Sequence, residues 1–185
     1  GAGVSSAEGR GEQLAPHVRR SAKLVLAIYT GSSLLAVLLL WAAGMGLFDA
    51  VNHAMAALST GGFSTRTASI GHWDNPKVEA VVILLMLIGM LNFLTSYALL
   101  RGQFRVAARN TEVRLASVLI PMSAAVFLFG VTLGLYPTLG KSVRVAIFET
   151  VTALTTTGFA TVDYHHWNGM GWFMLIGLMM VGGGT

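Results

Sequence analysis

Long uncharged runs alternate with shorter polar segments along this chain. Positions 24–47 carry no charged side chain over 24 residues, 80–100 none over 21, and 115–139 none over 25. A membrane-spanning helix needs about 20 mostly apolar residues, so each run predicts one. The third contains Pro121 and the pair Gly130 and Gly134, both tolerated in membrane helices. A fourth run, 169–181, has only 13 residues before Gly182, Gly183, Gly184 and Thr185. It predicts either a re-entrant segment or a helix cut short inside the membrane.

Composition supports this pattern. Hydrophobic residues make up 54% and charged residues 11%, whereas soluble domains carry about 25% charged residues. The same figures exclude disorder. The 185 residues contain no cysteine, which excludes a disulfide framework, a thiolate metal site and a cysteine nucleophile. Glycine is abundant, at 22 residues, as suits close helix packing or irregular backbone inside a membrane.

Charge placement predicts the orientation. Arg10, Arg19, Arg20 and Lys23 precede the first run, and Arg101, Arg105, Arg109 and Arg114 lie between the second and third. Eight of the twelve basic residues thus share one side, the expected cytoplasmic side, with the N-terminal end inside. Asp49, Asp74, Glu79, Glu149 and Asp163 fall on the opposite side with Arg66, Lys77, Lys141 and Arg144. The net charge of +4 is not gathered into one aromatic-rich patch, so it predicts no nucleic-acid partner.

The segments after the first and third runs repeat at an offset of 96 residues. Ala57 and Leu58 match Ala153 and Leu154, Thr60 matches Thr156, and Gly62 and Phe63 match Gly158 and Phe159. Thr65 matches Thr161, and Trp73 has a counterpart, two residues out of register, in Trp167. Each copy predicts a short helix, over 48–58 and 142–154, followed by a Gly/Thr loop, over 59–65 and 155–161. Helices that short enter a bilayer and return, and the loop backbone then needs protein or water around it. Each helix would aim the partial negative end of its dipole at its loop. The loops offer backbone carbonyls and hydroxyls with no fixed charge, and rings of carbonyls can replace a monovalent cation's hydration shell. Glycine lets successive carbonyls turn to one axis. An outer turn of small residues is the plain alternative for either loop alone.

At 59–65 and 155–159 the chain resembles the selectivity-filter loops of the Trk/Ktr/HKT superfamily of potassium transporters. Phe48, Asp49, Ala50 and His53, the stretch 68–71 and the basic lead-in at 16–20 resemble the bacterial Trk branch most closely. The resemblance runs from about residue 14 onward. It implies an all-α membrane protein of repeated membrane helix, pore helix, filter loop and membrane helix, with a pseudo-fourfold pore in the full chain. This sequence would supply one complete repeat, 24–100, with its second span at 78–100. A basic cytoplasmic loop, 101–113, would lead to an incomplete repeat, 114–185. The lead-in is 1–23.

The resemblance implies a filter of Ser59, Thr60, Gly61 and Gly62 in one quarter and Thr155, Thr156, Thr157 and Gly158 in the next, with potassium at the filter as the only metal expected. Gly61 stands opposite Thr157, so these quarters are not equivalent there. Phe63 and Phe159 are expected to wedge behind the filter. Gly182, Gly183, Gly184 and Thr185 resemble the start of a gate loop beneath it. The implied activity is potassium uptake across the bacterial cytoplasmic membrane, without a cofactor or covalent catalysis. The implied assembly is a homodimer regulated by a ring of cytosolic nucleotide-binding subunits. A non-transporting membrane scaffold and a sodium- and potassium-permeable relative are the alternatives.

Other signals weigh less. Gly140, Lys141 and Ser142 miss the phosphate-loop spacing, because the preceding glycine, Gly134, is one position too far away. Ser142 is expected instead to cap the second short helix. His165 and His166 lack a third ligand at helical spacing and predict a solvated loop rather than a metal site. His53 matches Glu149 at the repeat offset. Each is expected to tune the outer field for cations or to hydrogen-bond to a neighbouring repeat. Asn92 and Thr95 would bond between helices or line a cavity. No Asp, Glu or His lies inside the four runs, which leaves no constellation for an intramembrane hydrolase.

Overall fold

The computed structural model describes residues 2–91 and 111–183. Asn92, Thr95, Arg101, Arg105, Arg109, Gly184 and Thr185 lie outside the described residues. Helix α1 spans Ala2–Ala43 and α2 spans Leu47–Leu58. After a 3-10 turn at Ser69–His72, α3 covers Pro76–Met90. Helix α4, Thr111–Phe127, widens into a π turn at Leu128–Thr132. Helix α5 covers Leu139–Leu154, a second 3-10 turn Tyr164–His166, and α6 Gly169–Gly182. No strand occurs among the described residues.

Helix boundaries follow local chemistry. α1 stops at Ala43, earlier than the uncharged run predicts, because Gly44 turns left-handed at φ +115°. The Gly44 N–H then reaches Trp41 O and the Met45 N–H reaches Leu40 O, at 3.1 Å each. This is a Schellman ending. α3 and α6 start alike: Asn75 caps Lys77 N, with Pro76 opening the helix, and Asn168 caps Gly171 N. These two asparagines stand 93 residues apart, so the repeat extends to the start of the second helix with a three-residue deletion.

Two expected features move. Helix α5 begins three residues before the expected 142, and its cap is Thr138, whose side chain accepts from Lys141 N. Ser142 is therefore not a cap. It is buried, and its hydroxyl donates to Thr132 O at 3.0 Å, while the Thr132 hydroxyl donates to Ser142 O at 3.0 Å. The third uncharged run does not stay helical to residue 139. It leaves the helix after Thr132, where Gly134 takes φ +87°, so Gly130 and Gly134 do not share one helix face. Pro121 is accommodated inside α4.

Two helices among the described residues are long and apolar enough to cross a membrane, Val25–Ala43 and Val113–Thr132. Only 11% of the first window and 33% of the second is buried. Leu34, Leu38, Trp41, Val118 and Met122 point outward. Apolar helices that expose so much of themselves fit lipid surroundings better than a soluble core. The interior divides by repeat. One cluster joins α1, α2 and α3 through Leu40, Ala54, Val82 and Met86, and the other joins α4, α5 and α6 through Phe127, Ala153 and Leu178. Phe148, Val151 and Phe159 of the second repeat belong to the first cluster and hold the repeats together.

Candidate ion filter

Helices α2 and α5 have 12 and 16 residues. At 1.5 Å per residue they are about 18 and 24 Å long, shorter than a roughly 30 Å hydrocarbon core. They end in copies of one structure. Ser59 N–H bonds to Met55 O, Thr60 N–H to Ala57 O and Gly61 N–H to Ala56 O. In the second repeat Thr155 bonds to Val151 O, Thr156 to Ala153 O and Thr157 to Thr152 O. All six residues pair at the 96-residue offset.

The dihedral angles repeat as well. Thr60 and Thr156 take φ 50° and 54°, and Gly62 and Gly158 take φ 66° and 87°. A β-branched residue in the left-handed region is strained and persists only where its surroundings hold it. The left-handed conformation of both threonines was not foreseen from the sequence, which assigned backbone freedom to the glycines. Left-handed positions alternating with others let successive peptide dipoles turn to one side.

The loops meet each other. A Cβ on Gly62 would lie 2.0 Å from Thr157 O, so this glycine is required by contact as well as by φ. At Gly158 a Cβ would meet nothing within 4 Å. The hydroxyls expected to face a cation do not all do so. Thr155 and Thr157 are buried, and their Oγ1 atoms lie 2.7 Å apart in a hydrogen bond. Ser59 is exposed and Thr60 and Gly62 are half-buried, while Gly61, Thr156 and Gly158 are exposed. The arrangement leaves backbone carbonyls as the main candidate ligands.

Each loop is tied back to its short helix by a carboxylate. Asp49 accepts from Thr65 Oγ1 at 2.6 Å and from Arg66 Nη2 at 2.7 Å. Glu149 accepts from Thr161 N at 2.9 Å, Thr161 Oγ1 at 2.8 Å and the Tyr164 hydroxyl at 2.5 Å. Thr65 and Thr161 are equivalent, although their carboxylates sit one helical turn apart in the repeat. Glu149 and His53 are both fully buried, so neither presents its side chain to the outer solution. Their bonds stay within their own repeats, contrary to the expected inter-repeat bond. His53 Nδ1 lies 2.7 Å from Asp49 O, and Nε2 lies 2.8 Å from Ser64 Oγ.

The two repeats are joined at the loop ends. Gly71 N–H donates to Ala160 O at 3.1 Å, and Ala160 N–H donates to Ser69 Oγ at 3.2 Å. Arg144 bonds to both oxygens of the buried Glu79, at 2.8 and 2.5 Å, and to Asp74 at 2.8 Å. Lys141 also pairs with Asp74. These hydrogen bonds and charges hold the Asp74 carboxyl below its usual value, Lys141 contributing most. The charges were legible; their pairing across 65 to 70 residues was not.

Phe159 is fully buried, stacked on His53 at 5.7 Å between ring centroids. Phe63 is 82% exposed, so only one of the two expected wedges packs within this chain. Gly182 ends α6, and Gly183 follows as its cap, donating to Met179 O at 2.9 Å. His165 and His166 are exposed, and no cluster of three His, Cys, Asp or Glu occurs among the described residues.

Paired short helices, each ending in a strained loop between apolar helices, fit an all-α membrane protein. Comparison with known proteins gives the family. The model for TrkH, a cation transport protein, matches residues 4–185, and the chain belongs to this family. The Trk system potassium uptake protein TrkH of Escherichia coli K12 is 31% identical over 160 residues, covering 84% of this chain and 32% of that protein. TrkI of Halomonas elongata, also named a Trk system potassium uptake protein, is 34% identical over 174 residues, covering 93% and 35%. The crystal structure of the potassium transporter TrkH from Vibrio parahaemolyticus superposes with a TM-score of 0.79 at 25% identity, covering 88% of this chain and 36% of that one. The chain therefore spans about a third of the length of these relatives.

Proposed function

We propose that residues 59–62 and 155–158 are two quarters of a potassium-selective carbonyl filter, in the ion-conducting subunit of a Trk-type uptake system. The observation that carries this reading is the shared backbone: both loops leave a short helix through the same three hydrogen bonds and the same alternation of φ. Two helix dipoles then present their negative ends to one place, which favours a cation. Burial of the Thr155 and Thr157 hydroxyls favours carbonyls as the groups that replace the ion's water. The names of the relatives supply potassium as the substrate.

The contact between the loops is directional: Gly62 of one repeat meets Thr157 of the next, and Phe159 returns the contact to His53. Such head-to-tail contacts close into rings, which supports a pore completed by further repeats of the same kind. The basic side is cytoplasmic, the N-terminal end of the chain lies inside, and the membrane is the bacterial cytoplasmic membrane. The membrane potential then drives entry, at about 2.3 kcal/mol per charge per 100 mV. The segment from Gly182 onward forms the start of a gate loop. A homodimer and a cytosolic nucleotide-binding ring complete the assembly implied by the resemblance.

The test is rubidium and sodium flux by the full-length protein in cells lacking their own potassium importers. Gly62→Ser and Gly158→Ser should each reduce the preference for potassium over sodium. Unchanged selectivity in both would overturn the filter assignment.

A further inference from the structure

In each repeat the second helix touches the end of the short helix through a glycine. A Cβ on Gly89, in α3, would lie 2.7 Å from Leu58 O and 2.8 Å from Ala57 O. A Cβ on Gly182, at the end of α6, would lie 1.9 Å from Leu154 O and 3.3 Å from Thr156 Cγ2. Contacts under 3.0 Å are closer than real Cβ atoms come. Leu58 and Leu154 are equivalent at the 96-residue offset. Gly89 and Gly182 are equivalent at the 93-residue offset of the capping asparagines Asn75 and Asn168. The same contact thus arises twice.

Neither glycine is needed for its own backbone, since neither takes a positive φ. Gly89 and Gly182 stand in the last turns of α3 and α6, where the close approach of the neighbouring backbone leaves no room for a side chain. Other helical glycines differ: a Cβ on Gly31 or Gly177 would meet nothing within 4 Å, and one on Gly130 or Gly171 would meet a side chain, of Met170 or Trp167, rather than a backbone carbonyl. The atoms facing Gly89 are backbone carbonyls, and the atom nearest Gly182 is another. No flexible side chain stands at these closest points to absorb an added methyl. The carbonyls belong to the residues immediately before Ser59 and Thr155, where the loops begin.

We propose that Gly89 and Gly182 are positioning residues for the filter. Lacking side chains, they set how closely the end of each short helix approaches its flanking helix, and so place the loop carbonyls that follow. They act through the backbone of Leu58 and Leu154 and touch no ion. The inference rests on the filter reading above. A methyl at either position shifts the loop by a fraction of the carbonyl spacing that distinguishes potassium from sodium.

The test uses the full-length protein, with rubidium and sodium flux in importer-deficient cells and in liposomes. Gly89→Ala and Gly182→Ala should each lower the preference for potassium over sodium by about tenfold. Gly177→Ala, in the same helix as Gly182, should leave it unchanged. Gly158→Ser and Gly62→Ser are measured in parallel. Wild-type selectivity in both alanine variants, with selectivity reduced in either serine variant, overturns the positioning role and leaves the filter reading standing. Wild-type selectivity in both alanine and both serine variants overturns both. A lower melting temperature with an unchanged ion preference marks the contacts as structural only and overturns the proposal. If one alanine variant fails to accumulate, the other carries the test; loss of both from the membrane overturns the positioning role too.

Discussion

The two repeats share a loop backbone but differ in nearly everything around it. Phe159 is buried against His53, while its counterpart Phe63 is 82% exposed. Gly62 abuts Thr157 O, whereas a Cβ on Gly158 would meet none of the described residues within 4 Å. Asp49 ties one loop through partly exposed partners, and Glu149 ties the other through three buried or half-buried donors. Loop conformation is therefore set by the helix ending and the alternation of φ, which are common to both. The surroundings differ because each repeat has one face turned to the other repeat and one face turned away. The first repeat offers Gly62 and His53 to its neighbour; the second offers Thr157 and Phe159.

The sharpest way to break this comparison is at the glycines. Gly62→Ser drives a side chain into Thr157 O and against φ 66°, so it should lower selectivity and also destabilise the joined repeats. Among the described residues Gly158→Ser meets only the strain of φ 87°. In the full-length protein the next repeat of the ring should abut Gly158 as Thr157 abuts Gly62, so Gly158→Ser should lower selectivity with a loss of melting temperature of similar size. A much smaller loss, read by thermal denaturation beside flux, would contradict the head-to-tail ring.

Next in size is the pair of phenylalanines. Phe159→Ala empties a filled site and should destabilise the protein by about 3 to 4 kcal/mol. In the full-length protein Phe63→Ala should give a loss of similar size, provided that another repeat covers it as Phe159 covers His53. A loss near zero at Phe63, read by denaturation in detergent, would show that its face meets lipid or solvent.

The tethers come third. Glu149→Ala leaves the Thr161 N–H and Tyr164 O–H without their acceptor and should destabilise by about 3 kcal/mol. Asp49→Ala should cost about 1 kcal/mol, because the Arg66 side chain is 45% exposed and solvent replaces much of the interaction. Reversal of that order would show that the Asp49 tether dominates.

The smallest effect is expected at Asp74, whose side chain is 60% exposed. Asp74→Asn should change stability by less than about 1 kcal/mol. The Asp74 pKa is depressed below 3.8, so its contribution is present above that value and is lost as pH falls through the lower, folded value. Melting temperatures of the wild type and Asp74→Asn should therefore keep a constant difference from pH 8 to pH 5 and converge only in strong acid.

Much of this arrangement was legible in the chain. The uncharged runs overlap α1, α3, α4 and α6, although α3 ends at Met90 where the run continues to residue 100, and the segments of the 96-residue repeat coincide with α2, α5 and the loops after them. Helix ends were less legible, because Gly44, Thr138 and the π turn after Phe127 act through local hydrogen bonds that apolar periodicity does not register. The pairing of Arg144 with Glu79 and of Glu149 with Thr161 depends on packing between distant segments, and charge counting cannot supply partners. Left-handed Thr60 and Thr156 were the least foreseeable, since β-branched residues ordinarily avoid that region. An equivalent strain at two equivalent positions is the strongest structural sign that the loops are held in one shape for a purpose.

The central claim, that the two loops bind the same ion with their backbone, is tested most directly by locating rubidium in the full-length protein by anomalous diffraction. The account predicts rubidium within coordination distance of carbonyls from both 59–62 and 155–158, displaced by potassium more readily than by sodium. Rubidium absent from these loops, or bound only elsewhere in the protein, would contradict it.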